Sequence, residues 1–183
     1  DGGHRTVAMI IRGEAKILAE VLNCNEHDAV MIFLDQQSGR KTMSVSDTYR
    51  AGIKANIEEY ISFKEMFEKY NIQITAEPNR LDNPLGKVTP SRTILRMSNR
   101  NQGELEKALD LIVALHWTGS VEKNAFTLRT IQTVIKLFSA FGKDKVEEKL
   151  LKHCKGAVYY ESKVFPIKSN AELYDMLVEE INK

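Results

Sequence analysis

Apolar residues in this chain recur mostly at helical spacing, in short runs divided by polar turns. The run Thr6-Val7-Ala8-Met9-Ile10-Ile11 predicts a helix over 4–12 that Gly13 stops. Ala15–Leu22 is short, partly β-branched and bounded by Gly13 and Asn23-Cys24-Asn25, which predicts a strand. Asn25 then offers a cap with Asp28 three residues on, ahead of a helix carrying Ala29, Val30, Ile32, Phe33 and Leu34. After the polar break at 36–44, Ser44 pairs with Asp47. Val45, Tyr49, Ile53 and Ile57 follow at four-residue intervals, the mark of an amphipathic helix. Ser62 with Glu65 predicts the start of a further helix bearing Phe63, Met66 and Phe67, and Ile72 with Ile74 a short extended piece.

Residues 76–90 hold Pro78, Pro84 and Pro90 among turn-forming residues, which predicts a boundary. Two units are therefore expected, 1–75 and a mainly helical 76–183. In the second unit Pro90 is expected as a first helical residue after Thr89. Leu105, Leu109, Ile112 and His116 share a helical face flanked by Ala108, Leu111 and Leu115. Phe126, Ile131, Ile135 and Phe138 mark the next helix, closed by Gly142. Val146, Leu150 and Leu151 mark another, closed by Gly156. Ala157–Phe165 reads as a strand or hairpin arm. Ser169 with Glu172 caps a last helix whose inner face is Leu173, Leu177 and Ile181. The fold class expected is α+β and predominantly helical.

Composition narrows the function classes. In 183 residues, 26 basic and 25 acidic side chains leave a net charge of +1, so there is no overall electrostatic case for nucleic acid, although a local basic face is compatible with it. The two cysteines, Cys24 and Cys154, have neither metal-ligand spacing nor neighbouring histidine clusters, which fits a reducing cytoplasm and predicts no metal site. No apolar run reaches bilayer length, so no membrane partner is expected.

Candidate chemistry lies first in Asp1-Gly2-Gly3-His4-Arg5. A helix N-terminus carries N–H groups with no partner inside the helix and the positive end of the macrodipole. Gly2 and Gly3 permit close backbone approach, while His4 and Arg5 add donors, together a sensible cradle for phosphate. Asp1 is placed to organise the turn or to approach a metal-bound phosphate. Arg40 and Lys41 lie in a glycine-containing polar loop and suit a second phosphate or a nucleic-acid backbone. Arg50 reads either as a further contact or as half of a surface ion pair. Gln36, Gln37 and His27 read as surface, and His116 as a hydrogen-bonded core histidine. His153 beside Cys154 is a pair rather than a site, and Tyr159-Tyr160 suits either base stacking or packing at a strand edge. No Walker-type string and no Ser-His-Asp or Cys-His set is present in the sequence.

From Asp1 to about Arg50, the DGGHR string, Ile17–Leu22, Glu26-His27-Asp28-Ala29, Gly39-Arg40-Lys41, Met43-Ser44-Val45-Ser46-Asp47 and Tyr49-Arg50-Ala51 follow one another at a characteristic spacing. In this order they resemble the ParB/sulfiredoxin-like superfamily, specifically a branch whose members carry DGQHR and a helical C-terminal extension. The resemblance implies a truncated ParB/sulfiredoxin-like segment followed by a helical bundle, with the leading strands lying before Asp1. It implies phosphate binding by Gly2, Gly3, His4 and Arg5, a nucleoside triphosphate with Mg²⁺ as ligand, and DNA and a second copy of the chain as partners. The expected setting is DNA maintenance or mobile-element biology. Superfamily kinship leaves open a ParB-like nuclease, and a non-catalytic helical interaction or self-association module is the competing class. Gly3 departs from the branch, which has Gln there, so a side-chain amide contact is lost.

Overall fold

A computed structural model describes residues 3–13, 16, 22–37, 44–77, 81–117 and 124–183, without the side chains of residues 3–6 and 34–37. The first helix, α1 (Gly3–Ile11), ends where Gly13 takes a φ of 74°, as its position after the apolar run predicts. The strand expected over Ala15–Leu22 falls largely outside the described residues. Helix α2 (Glu26–Gln37) starts at the expected cap, the Asn25 side chain accepting from the Asp28 N–H at 2.8 Å.

Helix α3 (Val45–Lys54) begins at Ser44, whose Oγ accepts from the Asp47 N–H at 3.1 Å and donates to the Asp47 carboxylate at 2.7 Å. Helix α4 (Glu58–Lys69) starts one turn earlier than Ser62 and Glu65 suggest. Asn56 reverses the chain in the left-handed region (φ 54°), so the next helix begins at once, with Glu58 and Glu59 against the positive end of its dipole. Ser62 is left inside the helix.

Strands β1 (Ile72–Ile74) and β2 (Gly86–Val88) pair in parallel, Ile72 opposite Gly86 and Ile74 opposite Val88. The turn-rich segment therefore holds β2 against β1, and buried side chains on both sides of it, from Tyr49 to Ile181, form one cluster. Gly86 is required here, because a Cβ would lie 2.4 Å from the Phe126 ring and 2.7 Å from Asn124 Oδ1. Asn124 extends the edge of β2, its Oδ1 accepting from Lys87 N–H at 3.0 Å while its amide donates to the Lys87 carbonyl.

Helix α5 (Arg92–Arg100) is capped by Ser91, whose Oγ accepts from Ile94 N–H at 3.2 Å. Pro90 stands before the cap, not at the first helical position, because the Ser91 side chain satisfies a free N–H that Pro90 has no means of satisfying. Helix α6 (Gln102–Ala114) buries Leu105, Ala108, Leu109, Leu111 and Ile112. It ends before His116, which turns left-handed (φ 54°) and is exposed, so the expected core histidine is a surface residue. Trp117 takes the buried place beyond it, its indole N–H donating to the Cys154 carbonyl at 2.7 Å.

Helices α7 (Leu128–Phe141) and α8 (Lys143–His153) are separated by Gly142 at φ 81°. The stretch expected as a strand or hairpin arm is helical, a single turn α9 (Ala157–Tyr159) running into a π-helical turn over Tyr160–Val164. β-branched and aromatic residues mimic a strand there, yet burial has helical spacing: Tyr160 and Val164 are buried and Val158 is 81% exposed. Helix α10 (Asn170–Ile181) has the expected Ser169 cap and buries Leu173, Leu177 and Ile181 against α7 and α8. The described residues are predominantly helical, with one small parallel sheet among them.

Candidate functional site

The last three residues of the DGGHR string open α1. Gly3 is its first residue, so Gly3, His4 and Arg5 form the first helical turn, where backbone N–H groups have no partner within the helix. Asp1, Gly2, Arg40 and Lys41 lie outside the described residues, as do the side chains of His4, Arg5, Gln36 and Gln37. Arg50 is described: its Nε–H donates to the Ala76 carbonyl at 2.7 Å and its guanidinium pairs with Asp47 at 3.3 Å. These contacts tie α3 to the chain leaving β1 and occupy donors that a phosphate would otherwise use.

The other singled-out residues have mainly structural surroundings. His27 donates from Nδ1 to the Ala55 carbonyl at 2.8 Å, linking α2 to the end of α3. Tyr160 is buried beside Trp117, with ring centroids 5.7 Å apart, and its hydroxyl donates to the Asn124 carbonyl at 2.7 Å. Tyr159 directs its hydroxyl to the Met176 sulfur at 3.5 Å. The pair is thus not a strand-edge platform for bases, because the helical turn folds one ring into the core and bonds the other to α10. Nε2 of His153 is buried with no hydrogen-bond partner among the described residues. Cys24 is exposed and Cys154 buried, its thiol pushed up to about 11 by desolvation.

A groove of about 680 Å³ opens between the α3–α4 pair and α5. This volume lies in the usual range of small-molecule sites, roughly 300–1,000 Å³. One wall is a row on α5, Arg92, Arg96 and Arg100, at four-residue intervals and all exposed. With a rise of about 1.5 Å per residue, consecutive positions are about 6 Å apart along the axis and the row spans about 12 Å. The opposite wall is the first turn of α4, with Glu58, Glu59 and Tyr60, joined by Ser62 and by Thr48 of α3. None of the three guanidiniums and neither of the two carboxylates takes part in an ion pair or side-chain hydrogen bond among the described residues.

Packing shapes this groove. The Tyr60 ring stands edge-on to the buried Tyr49 ring, with centroids 6.0 Å apart at 76°. Burial, with Glu59 alongside, raises the Tyr60 hydroxyl above its ordinary range, so it remains a neutral donor at physiological pH. Ser98 also lines the groove from α5. It is 3% exposed, and its hydroxyl oxygen is buried without a hydrogen-bond partner among the described residues, although a helical serine often bonds the carbonyl four residues back. The sequence reading missed this site. Its signal was the recurrence of Arg92, Arg96 and Arg100, which becomes meaningful once α4 is seen to face the row.

Among the described residues no group of three or more His, Cys, Asp or Glu side chains is placed to hold a metal ion. No helix among them is long and apolar enough to cross a membrane. No protein-family model, no curated protein and no solved structure matches the chain.

Proposed function

We propose that this chain is a ParB-like cytoplasmic protein that binds a nucleotide phosphate at the start of α1, in a setting of DNA maintenance or mobile-element biology. The supporting observation is the placement of Gly3, His4 and Arg5 in the first turn of a nine-residue helix. There the unpaired N–H groups and positive dipole favour an anion, and Arg5 offers a planar two-pronged donor to phosphate oxygens. Gly2 and Asp1 complete the turn in this reading, Arg40 and Lys41 serve a second phosphate or nucleic acid, and Mg²⁺ accompanies a triphosphate.

The test is titration calorimetry of the protein with CTP, ATP, GTP and ADP in the presence of Mg²⁺, with Arg5→Ala in parallel. The expected result is saturable binding of one nucleotide, weakened by about 2 kcal/mol in Arg5→Ala, the scale of a hydrogen bond to a charged group. Equal binding by wild type and Arg5→Ala, or no binding by folded protein, rejects the reading.

One observation favours the interaction-module alternative. Val7, Ile10 and Ile11 of α1 are 56%, 65% and 79% exposed, more apolar surface than a nine-residue helix ordinarily leaves open to water. Light scattering across a concentration series tests it: self-association that Ile10→Lys abolishes supports the alternative, and a monomer at all concentrations counts against self-association.

A further inference from the structure

We propose that the groove between α4 and α5 is a second binding site, separate from the start of α1, and that it takes a small polyphosphate with a donor-bearing head, the chemistry of a nucleoside di- or triphosphate. The proposal stands on the groove and does not depend on the α1 reading.

Three observations converge. First, Arg92, Arg96 and Arg100 form a cationic row on one wall with no ion pair among the described residues. This chain has nearly as many acidic as basic residues, yet no carboxylate among the described residues pairs with the row. A row of three left without partners holds donors in a fork that matches phosphate oxygens. Its span of about 12 Å lies within reach of the long arginine side chains for a ligand of two or three phosphates.

Second, the facing wall is acidic. Glu58 and Glu59 would repel a bulky polyanion such as duplex DNA, whose charge reaches both walls. They accept hydrogen bonds from the amino or hydroxyl groups of a ligand whose charge is confined to one end. The groove is therefore polarised, with a phosphate side on α5 and a donor side on α4, and the Tyr60 ring lies on the donor side, where a flat head group packs.

Third, Ser98 lines this groove and its hydroxyl oxygen is buried without a partner among the described residues. An unsatisfied buried hydroxyl is costly, and such groups in a native fold call for an explanation such as a bound ligand or water.

The experiment is titration calorimetry of the full chain with ATP, CTP, GTP and inorganic tripolyphosphate. The proteins are wild type, Arg96→Ala/Arg100→Ala, Glu58→Gln/Glu59→Gln and Arg5→Ala, with circular dichroism and Tm confirming that each is folded. All the substituted groove residues are exposed, so the variants retain the core. The expected result is a saturable nucleotide-binding step that Arg96→Ala/Arg100→Ala weakens at least tenfold and Arg5→Ala leaves within twofold; a separate step weakened only by Arg5→Ala belongs to the start of α1. Tripolyphosphate is expected to bind more weakly than the nucleotide, and Glu58→Gln/Glu59→Gln to narrow that difference. Retention of every binding step by the double arginine variant overturns the proposal, as does loss of every step in Arg5→Ala, which would place the nucleotide at α1 alone. No binding of any probe by folded wild type also overturns it. So does a groove that ignores these probes and takes single-stranded oligonucleotide or phosphopeptide instead, read by fluorescence anisotropy with the same variants.

Discussion

Gly52→Ala is a direct test of how α3 and α4 are joined, because two effects of opposite sign meet at one buried helical position. In isolation the change favours the helix: alanine is better than glycine in a helix interior by about 1 kcal/mol. The added methyl, however, would lie 2.1, 2.4 and 2.7 Å from Cδ2, Cε2 and Cγ of Tyr60. Since Cγ is the root of the ring, rotating the ring about its own axis does not clear the overlap. Displacing it breaks the edge-on contact with Tyr49, itself buried and donating to the Glu77 carboxylate at 2.8 Å. Overpacking costs about 1–3 kcal/mol, and losing an aromatic pair about 0.5–1.5 kcal/mol. The steric side wins, and a net destabilisation of about 1–3 kcal/mol is expected. For a chain of this length each kcal/mol lowers Tm by roughly 2–4 °C. Urea unfolding followed by the single tryptophan, Trp117, measures it, since that indole is buried in the native state. Gly103→Ala in α6 is the control: nothing lies within 4 Å of its added methyl, so it should be stabilising by up to about 1 kcal/mol. In a Tyr60→Ala background Gly52→Ala should likewise become stabilising. If Gly52→Ala stabilises the wild type, or still destabilises when Tyr60 is absent, the steric account is wrong.

Two further outcomes follow from burial. Cys24 is exposed and Cys154 fully buried, so native protein should show one rapidly reacting thiol with a disulfide reagent and two in denaturant; two fast thiols in native protein would contradict the packing around Cys154. Alkaline pH should also destabilise the fold. Burial holds the Cys154 thiol at about 11 against an ordinary 9.0, and burial followed by hydrogen bonding raises the Tyr49, Tyr70 and Tyr159 hydroxyls. The unfolded chain loses these protons first, so this stability is complete below pH 9 and falls between about pH 9 and 11, beginning with the thiol. A Tm that stays level across that window would refute it, and Cys154→Ala should reduce the slope.

Local signals in the sequence located much of the helical framework. The caps at Asn25, Ser44 and Ser169 rest on a side chain accepting from an N–H three residues on, so a few adjacent residues suffice to specify them. The inner face of α10 follows from the four-residue spacing of Leu173, Leu177 and Ile181, and the breaks at Gly13 and Gly142 from a positive φ that glycine adopts without strain.

The misreadings arose where distant parts of the chain compete with a local preference. Ser62 and Glu65 make a plausible cap, but the reversal at Asn56 and the acidic turn Glu58-Glu59 start the helix sooner. Ala157–Phe165 has the composition of a strand, yet Trp117, Phe165 and the Asn124 carbonyl form a pocket that Tyr160 fills from a helical turn. His116 shares a face with core leucines in an uninterrupted helix, but α6 ends before it so that Trp117 can reach the Cys154 carbonyl. The arginine groove depends on the same kind of assembly. The interval between Arg92, Arg96 and Arg100 is written in the chain, and it ordinarily denotes a solvated helix face. The facing acids Glu58 and Glu59 lie more than thirty residues earlier, and nothing local opposes them to the arginines. Packing of α4 against α5 over the Phe63, Met66, Ile94 and Leu95 core brings these two polar faces together. Burial of apolar surface is non-directional, so periodicity identifies the face that turns inward, while the partner it meets depends on the shape of the whole core.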